Sequence, residues 1–223
     1  VREWYRQGEL ERAQSILDEL DSLFGTGATP PNTAYKVPLD VWVSTETKGK
    51  YERMPSVAIS DVTSALRYAF RVGIGQNKPD VYREAVNFAN NVTKEFREND
   101  YNNYTSKFGS GRIKDIIGVL ESSAQITFEQ LMTDPTISIE ERLAIWAGVD
   151  KLERGLRPRV YDRIASRLQV QYEMHPLSKL RTFEVAFPEP PGLDAWRQKL
   201  ANEANAARGE AENNNPSNTI DRK

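Results

Sequence analysis

Arg159, Arg163 and Arg167 recur every fourth residue. On a helix that spacing places three guanidinium groups in one stripe, about 6 Å apart along the axis. Arg154 and Arg157 precede the stripe, and from Lys151 to Arg181 eight basic residues stand against Glu153, Asp162 and Glu173. The segment is therefore +5 in a chain of net charge −2, which leaves −7 for the remainder. Guanidinium groups suit phosphate oxygens, because their planar fork donates two parallel hydrogen bonds. Val160, Ile164 and Leu168 follow at the same interval one position on, so the helix is expected to rest on a core with the arginines partly exposed beside it. Tyr161, Tyr172 and Phe183 lie near enough in sequence to offer stacking surfaces for unpaired bases. Contact with the phosphates and unpaired bases of a single-stranded nucleic acid is one reading of the pattern. The competing reading is a solvated helix face whose arginines pair with acids elsewhere.

Catalytic patterns are scarce. Without cysteine the chain has no disulfide, thiolate metal site or thiol nucleophile, and one histidine, His175, builds no metal site alone. His175 precedes Pro176 at a helix end, where a cationic ring suits the helix dipole. Gly25-Thr26-Gly27 and Gly109-Ser110-Gly111 lack the lysine–hydroxyl pair of a phosphate-gripping loop. Phe108–Arg112 reads as a flexible glycine loop, with anion binding by its backbone as the rarer alternative. Glu140 and Glu141 fall in a first helical turn, where the dipole favours acids. The expectation is a protein that binds and assembles: no enzyme, no cofactor, no metal.

The positioning elements are mainly α, in a single helical core with extended N- and C-terminal arms. Residues 1–25 form the N-terminal helix and arm, 26–187 the core, and 188–223 the C-terminal helix and polar tail. Leu10, Ala13, Ile16, Leu17, Leu20 and Phe24 predict one amphipathic helix over Arg2–Phe24, stopped by Gly25. Val37–Val43 and Tyr51–Ile59, rich in β-branched and aromatic residues, flank Thr47-Lys48-Gly49-Lys50 and predict a small β-hairpin near 41–59. Helical spacing returns in Asp61–Val72, ended by Gly73, and in Val81–Arg97, capped by Asp80. Glu98–Gly111 reads as a surface loop, and Arg112–Leu120 and Thr127–Met132 as short helices. Ser138 with Glu141 is a capping box, Pro158 opens the arginine helix, and Leu193–Arg208 is the last helix. Beyond Gly209 the chain is almost without apolar residues and is expected to be disordered unless a partner orders it.

The order of these features resembles the coat proteins of flexible filamentous plant viruses, the potyvirus, potexvirus and closterovirus groups. Those proteins have a helical core, mobile arms and an arginine–aspartate pair about forty residues apart. Here Arg142, in SIEERLAIW, lies 42 residues before Glu184, in LRTFEVAF, with glutamate in place of aspartate. The stretch PPGLDAWRQKLANEANAARGE is similar to the helix and polar tail that follow. A rival alignment, through Val41-Trp42-Val43 and Leu66-Arg67, makes Arg67 the equivalent arginine. The resemblance implies a capsid protein polymerising helically around RNA, with Arg142 or Arg67 held near Glu184 and the Arg154–Arg167 group on phosphates. The implied setting is a virion or host cytoplasm.

Self-assembly would draw on Trp4 and Leu10, which carry an apolar stripe toward the chain end for a neighbour to bury. The apolar runs reach only about five residues, against the ~20 that span a bilayer, so no membrane partner is expected.

Overall fold

The structure, a computed structural model, describes residues 1–47, 51, 54–100, 102, 106 and 113–213. In chain order these form α1 (Arg2–Arg6), α2 (Leu10–Phe24), α3 (Leu39–Thr47) and α4 (Pro55–Tyr68), which continues as π-helical turns over Ala69–Ile74. Then come α5 (Pro79–Glu95) with a π-helical end at Phe96–Asp100, α6 (Ile113–Glu121), α7 (Ser123–Thr133) and α8 (Ile139–Gly148) with a 3-10 turn at Val149–Lys151. The chain closes with α9 (Leu156–Glu173), a 3-10 turn at Pro176–Lys179, α10 (Phe183–Ala186) and α11 (Leu193–Asn213). Among the described residues the protein is mainly helical and has no strand.

The expected hairpin is therefore corrected. Val41–Val43 lie on α3 and Pro55–Ile59 open α4, while Lys48–Lys50 fall outside the described residues. Val43 and Thr47, one turn apart, are both buried. A helical period thus coexisted with the β-branched composition, and packing chose it. The single N-terminal helix is also corrected. Gly8 breaks it with a left-handed φ of +77°, and a Cβ there would stand 2.7 Å from the Val81 carbonyl oxygen. Only glycine lets the α1–α2 corner rest against α5.

Caps differ in detail. Asp80 lies inside the first turn of α5 and pairs with Arg83, the cap position being Lys78. Pro158 is the third residue of α9, behind Gly155 in the left-handed region. Half of the capping box forms: Ser138 Oγ accepts from the Glu141 N–H at 3.2 Å. The Glu141 carboxylate instead takes a two-pronged bond from Arg71 on the π-helical turn, at 2.5 and 3.1 Å.

The core runs continuously from Tyr51 to Leu193. α4 packs along α5 and α7, and α7 along α9. A chain of rings joins the two halves: Phe70 against Phe128 at 5.4 Å, Phe128 against Trp146 at 6.1 Å, and Trp146 against Tyr161 and Phe187 at 6.0 and 6.1 Å. Ala13 and Leu17 of α2, with Val43 of α3, are buried outside this cluster.

Candidate nucleic-acid interface

α9 carries the arginine stripe much as its spacing predicts. Val160, Ile164 and Leu168 are fully buried and fix the helix to the core. Arg163 and Arg167 are exposed on the outer side, and Arg159 is half-buried. Their pairing differs. Arg159 Nε donates to the Gly155 carbonyl at 3.0 Å, with Glu153 3.9 Å from its guanidinium. Arg163 donates to Glu129 of α7 at 2.8 Å, and Arg167 has no ion pair among the described residues.

Arg154, Lys151, Lys179 and Arg181 are likewise exposed and without an ion pair among the described residues. Arg157 is not free. Its Nε donates to Asp150 at 2.8 Å, and its guanidinium lies 5.1 Å over the Trp146 ring. Desolvated on one face and neutralised on the other, it braces the turn before α9.

Three sequence expectations fail here for one reason, burial. Tyr161, Tyr172 and Phe183 belong to the core, so none offers a face to a base. The Tyr172 hydroxyl donates to the Arg181 carbonyl at 3.0 Å and closes the loop after α9. Burial, with Glu189 and Glu184 nearby, raises the Tyr161 phenol above its ordinary value.

Arg142 and Glu184 do not pair. Arg142 is only 3% exposed. It donates to the Met132 carbonyl at 3.0 Å and to Gln171, whose amide donates to the Thr133 carbonyl at 3.1 Å. The two side chains together cap the C-terminus of α7, whose last carbonyls have no partner within the helix. Glu184 is exposed on the first turn of α10, where its own backbone N–H and Thr182 hold its carboxyl below the usual range. Arg67, the rival arginine, reaches Asp134 at 2.9 Å. Thr136 and Arg67 hold the Asp134 carboxyl well below the usual range. Both family-equivalent candidates thus converge on the turn after α7, not on Glu184.

His175 bridges two segments: its Nδ1 accepts from the Leu177 N–H, and its Nε2 lies 3.4 Å from Glu140. Phe108–Arg112 lies outside the described residues, and no cluster of three metal-ligating side chains forms among the described ones. None of the described helices is long and apolar enough to cross a membrane.

The N-terminal half holds what spacing did not reveal. Asp61 of α4 is buried and receives Arg6, Arg2 at 3.4 Å and the Tyr51 hydroxyl at 3.1 Å. This pins α1 to the core. Trp4 is half-buried with Arg12 stacked 3.8 Å from its ring centre, and Tyr5 meets Phe88 edge-on at 6.0 Å. Leu10 is half-buried and lines a cleft of about 390 Å³ with Tyr5, Tyr51 and Phe88. Asp61 is a single acid in a run with no positional partner, and no one-dimensional pattern joins it to residues 55 and 59 positions earlier.

Comparison with protein-family models, curated proteins and solved structures finds no match to this chain.

Proposed function

We propose that this chain is a coat- or nucleocapsid-like structural protein that self-assembles and binds single-stranded RNA through the face led by α9. The observation that carries the reading is the set of exposed cations without an ion pair among the described residues, Lys151, Arg154, Arg167, Lys179 and Arg181, gathered in one +5 segment of a chain that is −2 overall. Salt-bridging side chains would satisfy a structural role, whereas exposed unpaired ones remain available to phosphate. Arg159 and Arg163 extend the stripe, each meeting one carboxylate that a phosphate could displace.

The buried residues narrow the earlier set. Arg142 and Arg157 serve the fold beneath the face, and Glu184 stands apart from both. With the aromatic side chains buried, contact by phosphate is favoured over base stacking, and weak sequence preference follows. The second reading, a non-enzymatic helical adaptor, is favoured by the exposed Met174 and Leu180 beside the same cations. A virion or host-cytoplasm setting belongs to the first reading.

The test is RNA affinity against salt for the Arg159→Gln, Arg163→Gln, Arg167→Gln triple variant. Loss of three phosphate contacts should flatten the log–log salt slope by about two, at roughly 0.7 per phosphate on a single strand. Affinity should fall alike for unrelated sequences. An unchanged slope returns the stripe to a solvated face and leaves the adaptor reading standing.

A further inference from the structure

Two exposed apolar faces of this molecule carry opposite charge. On α2 the stripe through Ala13 and Leu17 is buried, but it runs off the end of its support: Leu23 and Phe24 are each 59% exposed. α2 packs on α1 and α3, and a shallow groove lies along it between Leu10, Gln14, Asp18 and Leu39. At 100° per residue Glu19 and Asp21 flank Leu23 and Phe24, while Glu11 and Asp18 line the groove on the other side of the helix. None of them has an ion pair among the described residues, Asp18 accepting only from Gln14 and Asp21 only from Thr26. Its one cation, Arg12, is turned onto Trp4.

At the other site, the outer side of α9 changes from basic to apolar toward its end. Val170 is 53% and Met174 81% exposed, and Leu180, just past the 3-10 turn, is 82% exposed. Arg167 shares a helix face with Val170 and Met174, and Lys179 and Arg181 adjoin Leu180 in the chain, none with an ion pair among the described residues. The acid nearest in sequence, Glu173, accepts from Gln169.

We infer that α2 of one copy docks on the Val170–Arg181 end of a second copy, the inference resting on the self-assembly half of the function proposed above. The occupant follows from charge. Each face would meet like charge in its own image, which disfavours pairing of a face with itself, and each finds apolar surface flanked by the opposite sign on the other. Unlike faces pair either reciprocally, closing a two-fold dimer, or singly, in a head-to-tail contact that propagates as a ring or an open helix. Docking takes Arg167, Lys179 and Arg181 and leaves Lys151, Arg154, Arg159 and Arg163 for phosphate, so the salt slope of the RNA face is read on the unassociated chain.

The experiment is a charge swap in the full chain, read as mass by sedimentation at about 0.1 M salt, with helicity checked by circular dichroism. One variant carries Glu11→Lys, Asp18→Lys and Glu19→Lys. The other carries Arg167→Glu, Lys179→Glu and Arg181→Glu. Each alone should lower the association constant at least tenfold, and all six changes in one chain should restore it. Leu23→Ser with Phe24→Ser should weaken association without lowering RNA affinity, which separates docking from RNA binding. If the wild-type chain associates and both charge variants associate equally well, the docking pair is overturned while the assembly reading stands. A wild-type chain that stays monomeric with and without RNA overturns both. A six-change chain that fails to reassociate also overturns the pairing.

Discussion

Arg142 takes a charge into the core with no carboxylate bonded to it among the described residues, and burial pushes its guanidinium down from its ordinary value while Asp134 opposes that shift. What holds it there is the pair of carbonyls at the end of α7, one bonded directly and one through Gln171. Replacing Arg142 with Met should leave buried acceptors unmet and cost about 1–3 kcal/mol for each, read by denaturant unfolding. RNA affinity per folded molecule should not change. The phenols give a second residue-level test. Burial and the Glu9 carboxylate push Tyr68 up to about 12, and burial with Asp61 and Glu153 respectively pushes Tyr51 and Tyr82 higher still. A phenol raised above its unfolded value of about 10 contributes stability that is fully present below pH ~10 and is lost as pH rises through the folded value. A tyrosinate absorbance titration should therefore show a late group near pH 12 that Tyr68→Phe removes. A titration completed by pH ~11 in folded protein would contradict these environments. The family resemblance singled out Arg142 but misjudged its surroundings, because Gln171 and the α7 carbonyls come together only in three dimensions.

Glycines and β-branched residues show what an element takes from its neighbours. Gly73 reads in sequence as a helix stop, yet the chain stays helical through Ala69–Ile74 and widens into a π turn. A Cβ on Gly73 would stand 2.6 Å from the Tyr82 Cβ and 2.8 Å from its Cα, so the glycine permits the crossing of this turn over α5. Gly73→Ala should force the two helices apart and cost about 1–3 kcal/mol as overpacking, seen as a lower melting temperature with helicity retained. An unchanged melting temperature would mean the crossing is loose. The stretch Val37–Val43 misled for the converse reason. Over seven residues β-branched composition and helical spacing cannot be told apart, and burial of Val43 and Thr47 on one side of α3 settles the matter. The long regular segments were legible: the apolar positions of α9 and the cap at Ser138 stand where their spacing placed them.

Stability across the whole molecule should be uneven, because the buried cluster spans Tyr51 to Leu193 while Ala13 and Leu17 lie outside it. α1 is held to the core by Arg6 and Arg2 on buried Asp61, so the expectation that Trp4 belongs to a free arm gives way to an anchored corner with α2 beyond it. Asp61→Asn would break a largely buried pair, at a cost of about 3 kcal/mol, and should release α1 and α2 together to proteolysis while the core stays folded. In the intact protein, α2 buries two residues of fifteen, so it opens without unfolding the rest. Native-state hydrogen exchange should therefore show α2 amides exchanging through a partial opening of low free energy, and amides of α4, α7 and α9 only through global unfolding. If α2 docks on a second copy, raising the protein concentration should increase α2 protection selectively, because association stabilises the bound form by mass action. Exchange from α2 at the same free energy as from α4 would place it in the cooperative core. Protection independent of concentration, in protein that associates, would place the contact elsewhere.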